Sequence, residues 1–148
     1  MKVILGADHR GFALKQTLKQ TLTDKGYEVV DAGNTTLDEA DDYPDFASQA
    51  AYEVMQDSNN RGIVICGSGV GVCITANKVK GIRCGLGMTQ EQVKSARLDD
   101  DITMLALAAD YLDTTTAQSL VDTFLTTDFE AKDSHTRRID KISKIEQS

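Results

Sequence analysis

Five apolar runs, each followed by a stretch of helical periodicity, restrict the fold of this chain more than any other feature of it. KVILGA (2–7) has the character of a buried strand. RGFALKQTLKQTLTDKG (10–26) then sets Phe12, Leu14, Leu18 and Leu22 near helical spacing, with Gly26 as the stop. YEVVDAG (27–33) reads as a second strand and YPDFASQAAYEVMQDSN (43–59) as a second helix. The only proline, Pro44, sits at that helix's start, where a missing N–H costs nothing. RGIVICG (61–67), GIRCGLG (81–87) and ITMLAL (102–107) supply the remaining strands, and 69–80, 89–98 and 114–127 the helices after them.

Such alternation predicts a parallel sheet covered by helices on both faces. The expected fold class is therefore α/β: a three-layer, Rossmann-like fold with a five-stranded parallel sheet and a C-terminal helical tail. Residues 1–148 read as one domain without repeat or linker. Residues 130–148 form a polar, basic tail with few apolar residues of its own, which packs back on its own domain or, the favoured expectation, on a partner subunit.

Charge and cysteine usage exclude several function classes. The formal net charge is -7, whereas nucleic-acid binding needs a basic face to neutralise phosphates. No stretch approaches the roughly 18 apolar residues of a membrane span. MKVILGADHR is too short in its apolar part for a signal peptide. Cys66, Cys73 and Cys84 lack framework spacing, so reduced thiols are expected. Together these features predict a cytoplasmic protein with no nucleic-acid or membrane partner. The one basic cluster, HTRRIDKISK (135–144), is either a solvated helix face or a small anion site.

In parallel α/β sheets, ligands sit beyond the carboxyl ends of the strands. The first strand ends at Asp8 and His9, and the third at Cys66 followed by Gly67, Ser68, Gly69, Val70 and Gly71. The glycines allow backbone N–H groups to approach a ligand closely, and the loop opens a helix whose positive end favours an anion or a developing oxyanion, thiolate included. Familiar alternatives fail. A phosphatase loop would need arginine where Val72 stands, and the dinucleotide and Walker patterns are absent. There is no C-x-x-C pair, and His9, His135 and the cysteines lack zinc spacing, so neither metal nor cofactor is expected. A cysteine at a strand end is by itself more often a small core residue, and Asp8 more often a helix cap. Cys73 and Cys84, without a glycine loop of their own, read as buried core.

GADHRGFALK, DYPDFA, ICGSGVGVCITANKVKGIR and HTRRIDKISKIE, in this order across essentially the whole chain, resemble the type B ribose-5-phosphate isomerase family, which also contains the two subunits of galactose-6-phosphate isomerase. The resemblance is to the branch that uses cysteine as base. It implies a cofactor-free aldose–ketose isomerase of a sugar phosphate, assembled as a homodimer or homotetramer, with each active site shared between subunits. It further implies that Cys66 moves the proton between C2 and C1, that the amides of Gly67 to Gly71 hold the enediolate oxygens, and that Asp8 helps open the sugar ring. His9 and Arg138 would meet the phosphate, and Tyr43 the sugar; Arg137 adds a further cation beside Arg138.

The departures fall in one place. The family's His-Asn before the fifth strand is Asp99-Asp100 here, and its first tail arginine is Ser134. Asp99 inherits the ring-opening position and Asp100 the substrate contact beside it. An aspartate there exchanges protons near neutral pH only if burial or its neighbour raises its pKa. Two further readings stay open: the cysteine-bearing subunit of a hetero-oligomeric galactose-6-phosphate-type isomerase that needs a paralogue, and a non-catalytic sugar-phosphate-binding module. The resemblance leaves the particular sugar open.

Overall fold

The computed structural model describes residues 1–148. In chain order its elements are β1 (Lys2–Ala7), α1 (Phe12–Asp24), β2 (Glu28–Asp31), α2 (Tyr43–Val54), β3 (Arg61–Cys66), α3 (Val70–Asn77), β4 (Cys84–Leu86), α4 (Gln90–Asp100), β5 (Met104–Ala108), α5 (Thr114–Thr126) and α6 (Asp133–Glu146). The five strands form one sheet in the order β2-β1-β3-β5-β4, and every pairing is parallel. The expected α/β class, the parallel sheet and the helical tail are therefore present.

Alternation along the strands divides the core in two. Val3, Leu5, Ile63, Ile65, Leu105 and Leu107 point to one face and pack with Leu18, Leu22, Val93, Leu120 and Phe124 from α1, α4 and α5. Ile4, Val64, Cys66, Met104 and Ala106 point to the other, against Ala47, Ala50, Ala51, Val54, Val72 and Ala76 from α2 and α3. Each fully buried Leu or Phe contributes about 1.5–3 kcal/mol by leaving water. Because β1, β3 and β5 are covered on both sides, their sequences are continuous apolar runs rather than alternating ones.

One polar group lies wholly inside this packing. Lys15 of α1 is fully buried; its ammonium donates to Asp31 Oδ1 at 2.6 Å and to the Asn34 carbonyl at 2.5 Å. Lys19 adds a second cation on Asp31 at 3.1 Å. The pair ties α1 to the end of the edge strand β2.

Two boundaries differ from the sequence reading. The second helix closes at Val54, and residues 55–60 turn back into β3. The fourth strand shrinks to three residues, because Gly81 at φ +90° turns the chain and Arg83 instead bonds the loop before β5. The tail is a helix that docks on its own chain: both Glu146 carboxylate oxygens accept the Gly81 N–H at 3.2 Å, and His135 is buried against the end of α4. Ile142 and Ile145 of this helix remain exposed.

Candidate active site

Parallel register carries β1, β3 and β5 to one edge together: Ala7 pairs with Ile65 and Cys66 with Ala108. The segments after them meet there. The Asp8 N–H donates to the Ile65 carbonyl at 3.3 Å, and the Ala109 and Asp110 N–H groups donate to the Cys66 and Gly67 carbonyls at 2.9 and 3.0 Å. Cys66, only 4% exposed, thus sits at the bottom of this edge with Asp8, also 4% exposed, on the neighbouring strand.

The loop after Cys66 is shaped by contacts that only glycine permits. Gly69 lies at φ +73° and caps α3, and a Cβ there would come within 2.6 Å of Leu86. A Cβ on Gly71 would come within 2.6 Å of the Tyr43 ring, and one on Gly67 would collide with the guanidinium of Arg10. The Val70 N–H is taken by Ser68 Oγ at 3.2 Å. The N–H groups of Gly67, Ser68, Gly69 and Gly71 have no acceptor within the chain. The loop therefore offers several free amides at a helix N-terminus beside a thiol, an arrangement suited to an oxyanion.

Asp8 closes the turn ahead of α1 rather than capping it: Oδ1 accepts the Arg10 and Gly11 N–H groups, each at 3.0 Å, while Gly11 stands at the N-cap with no side-chain cap. His9 is held by a residue the sequence reading missed. Asp41 Oδ1 accepts both the His9 backbone N–H at 3.0 Å and the Nδ1–H at 2.8 Å. The Asp41 hydrogen bond is the chief reason that the His9 imidazole is held above its usual pKa; burial opposes it, and Asp8 and Glu39 add to it. Burial pushes the Asp41 carboxyl up, but the His9 ring and backbone bonds outweigh this and leave it below the usual carboxylate range. Arg10 pairs with Asp110 across the loop. Asp110 lies outside the strand runs, and nothing local in the sequence connects it to residue 10.

Asp8, His9 and Asp41 bring donor atoms within 4.8 Å of one another. Their donors are committed, however. Asp8 closes the turn before α1, and Asp41 spends its charge on His9 Nδ1. This set is a poor match to a metal.

Asp8, His9, Tyr43, Cys66 and the 67–71 loop are therefore gathered at the carboxyl edge. Asp99, Asp100, Arg137 and Arg138 are not. Asp99 and Asp100 end α4 and lead into the amino end of β5, so the length of that strand, about 16 Å, separates them from the Cys66 edge. Asp99 is half exposed, and its Oδ1 lies 3.5 Å from Nε2 of His135, whose Nδ1–H donates to the Glu130 carbonyl at 2.7 Å. A histidine thus stands beside the half-exposed Asp99. The Asp100 carbonyl accepts from Arg83 at 2.9 Å. Arg137 and Arg138 are exposed near the start of α6.

Cys73 and Cys84 depart from the buried-core expectation. Both are half-buried and face each other across α3 and β4, with Cys73 Sγ 3.4 Å from the Cys84 carbonyl. A hydrogen bond from the Cys84 thiol lowers the Cys73 pKa to about 7, against burial and with help from Asn77. The bond to Cys73 raises the Cys84 thiol well above its ordinary value, and burial adds to this.

A mostly apolar recess of about 330 Å³, lined by Ser68, Leu86, Met88, Tyr111 and Leu112 among others, opens beside the loop. Met88 and Tyr111 are exposed, as are Val70 and Ile74 on α3.

Comparison with known proteins places this geometry among related ones. The model of the ribose/galactose isomerase family matches residues 3–142. A curated relative from Mycoplasma genitalium, a probable ribose-5-phosphate isomerase B, is 40% identical over 146 residues, covering 98% of this chain and 95% of that protein. Ribose-5-phosphate isomerase B of Mycobacterium tuberculosis strain H37Rv is 37% identical over 148 residues, covering 100% and 91%. Among solved structures, ribose-5-phosphate isomerase B from M. genitalium with bound ribulose-5-phosphate superposes with a TM-score of 0.95 at 39% identity, covering 99% of this chain and 97% of that one. The Clostridium thermocellum ribose-5-phosphate isomerase B gives 0.94 at 38% identity, covering 99% and 98%.

Proposed function

This chain belongs to the ribose/galactose isomerase family, and from that premise we propose that it interconverts ribose 5-phosphate and ribulose 5-phosphate through an enediolate with Cys66 as the base. The observation that carries the reading is the set of acceptor-free amides at Gly67, Ser68, Gly69 and Gly71 directly after the Cys66 thiol.

The chemistry needs three things from the protein: a base at the C1–C2 bond, donors for the oxygen that becomes negative, and a grip on the phosphate. Cys66 as thiolate takes the C2 proton of the aldose. The loop amides stabilise the enediolate, and the same thiol returns the proton to C1. Asp8, next to Cys66 on the adjoining strand, assists ring opening. Tyr43, packed over Gly71, holds the sugar. His9 presents Nε2 to the phosphate because its other nitrogen is spent on Asp41.

Arg137, Arg138, Asp99 and Asp100 reach such a site only from a second subunit. The exposed apolar side chains around the loop, Val70, Ile74, Met88 and Tyr111, support an interface there. We therefore assign a homo-oligomer with shared sites, in which Asp99, beside His135, occupies the ring-opening position and the two arginines meet the phosphate. The enzyme works in the cytoplasm without a cofactor. Light scattering at micromolar concentration should give at least a dimer.

The test is proton NMR in deuterated water with the purified chain and ribose 5-phosphate. Wild type should exchange the C2 proton and form ribulose 5-phosphate. Cys66→Ala should lose about 10² to 10⁴ in rate, the usual contribution of a general base, with folding unchanged. Exchange at the wild-type rate in that variant would remove Cys66 from the mechanism. A wild-type chain that is inactive alone, but active once a paralogue is added, would favour the hetero-oligomeric reading.

A further inference from the structure

Asp41 lies in an acidic stretch, LDEADDYPD, and its side chain is only 4% exposed although the residues around it are solvated. It accepts from the His9 backbone N–H and from Nδ1–H with the same oxygen, while its other oxygen accepts from Asn34 Nδ2 at 3.3 Å. Asn34 is fixed in turn by its N–H donating to the Ala7 carbonyl at 3.0 Å, at the end of β1. Both carboxylate oxygens are therefore spoken for by groups anchored to the first strand, and the His9 ring cannot rotate without breaking the shorter bond.

From this geometry we infer that Asp41 is a positioning residue: it locks the His9 ring with Nδ1 protonated and Nε2 turned to the ligand, and its charge keeps that nitrogen a donor to a phosphate dianion. The inference rests on the sugar-phosphate reading of the site. A neutral imidazole locked this way would offer Nε2 as a lone pair, which repels phosphate. A protonated one offers an N–H and a positive charge, the stronger kind of hydrogen bond. The charged groups facing His9 are Asp8 on its own segment and Glu39 and Asp41 from the loop before α2, and all three favour the imidazolium. Arg10, the nearest cation in sequence, is drawn away by Asp110. An ionised aspartate is required for this role; an amide would keep its oxygen on His9, give up the Asn34 bond and lose the charge.

The experiment separates the two contributions with Asp41→Asn and Asp41→Ala. The chain has two histidines, so His135→Gln leaves His9 as the single imidazole in a ¹⁵N NMR titration, which needs no turnover. Wild-type His9 should show Nδ1 protonated across the titration and a midpoint above that in Asp41→Asn. Inorganic phosphate and ribose 5-phosphate should bind wild type and Asp41→Asn alike below about pH 6, where an imidazole of ordinary pKa is protonated in both. Near pH 7.5 the variant should bind about tenfold more weakly, while kcat changes little. Asp41→Ala should add loss of the fixed tautomer. An unchanged His9 midpoint in Asp41→Asn would overturn the inference, as would an affinity ratio that does not vary with pH. The ¹⁵N titration stands whether or not the chain isomerises ribose 5-phosphate, so failure of the substrate assignment is read separately, from turnover.

Discussion

Nε2 of His135 lies 3.5 Å from Oδ1 of Asp99, joining the first turn of α6 to the last turn of α4. Since the Glu130 carbonyl occupies the Nδ1–H, the contact is attractive only with a proton on Nε2. A carboxylate and an imidazole thus share the place where the resemblance leads one to expect a histidine at position 99. Asp99 is half exposed, so the pair contributes little to stability, within the 0–1 kcal/mol of a surface ion pair.

Position 99 carries a carboxylate where the family has an imidazole, the side chain suited to proton exchange near neutral pH. Wild type should therefore be weak on cyclic ribose 5-phosphate and relatively better on a sugar phosphate that cannot cyclise. Asp99→His should raise kcat/KM on the cyclic substrate by about 10-fold or more, within the range of general acid–base catalysis, and leave the open one unchanged. A loss on the cyclic substrate would mean that Asp99, with His135 beside it, is itself the adapted group.

Gly67 and Gly69 should respond differently to alanine. At Gly67 the new methyl meets the far end of Arg10, an exposed and flexible chain, so stability should stay near wild type while turnover falls as the loop is crowded. At Gly69 the backbone is left-handed, and the methyl meets Leu86 and the Leu107 backbone. That variant should lose at least the roughly 1–2 kcal/mol of a left-handed residue. Urea denaturation with parallel assays checks the order; a less stable Gly67→Ala would contradict it.

Burial pushes the Asp31 carboxyl up, but Lys15, the Gly33 N–H and Lys19 outweigh this and hold it below the usual range. A depressed carboxylate contributes stability that is complete above its unfolded value, about 3.9, and is lost as pH falls through the folded one. Lys15→Met leaves a buried charge with only Lys19 against it and should cost about 3 kcal/mol at pH 7. The gap to wild type should narrow below about pH 4, where Asp31 of the unfolded chain begins to protonate while the folded one is still ionised. Denaturation midpoints between pH 3 and pH 7 read this directly.

Cys73, with its pKa lowered to about 7, should be the first of the three cysteines that iodoacetamide alkylates at neutral pH, ahead of the buried Cys66. Its rate should fall off below about pH 7, following the thiolate fraction. Cys84→Ala removes the donor that stabilises the thiolate and should slow labelling of Cys73 at pH 7. Peptide mapping by mass spectrometry distinguishes the sites.

The sheet was legible in the sequence because β1, β3 and β5 are buried on both faces, which leaves unbroken apolar runs. Cys66 and its glycines were legible because a loop stripped of side chains after such a run has few structural uses. Asp41 was not. In LDEADDYPD it is one acid among several, and only the fold shows that it alone is covered and aimed at His9. Asp99 facing His135 was hidden for a similar reason: the two are 36 positions apart and meet through the packing of α6 on α4, for which a polar tail carries little local signal. The length of β4 was overread because Gly81 and the bonds of Arg83 to the loop before β5 take its first residues out of the sheet.

The strand order β2-β1-β3-β5-β4 has a bearing on how this chain emerges from a ribosome. β1, β2 and β3 can pair as they appear, since each neighbours an earlier one. β4 has no partner except β5, which is made later, and β5 must slot between two strands already synthesised. Until then Leu86 has no neighbouring strand, and α3 is covered only by α2 and the β3 side of the sheet. The second half of the protein is thus committed in one step rather than strand by strand, and α6, whose anchor at Glu146 follows every strand in the chain, closes over it only after β5 has been made. A nascent chain stalled before β5 should expose apolar surface that chaperones recognise.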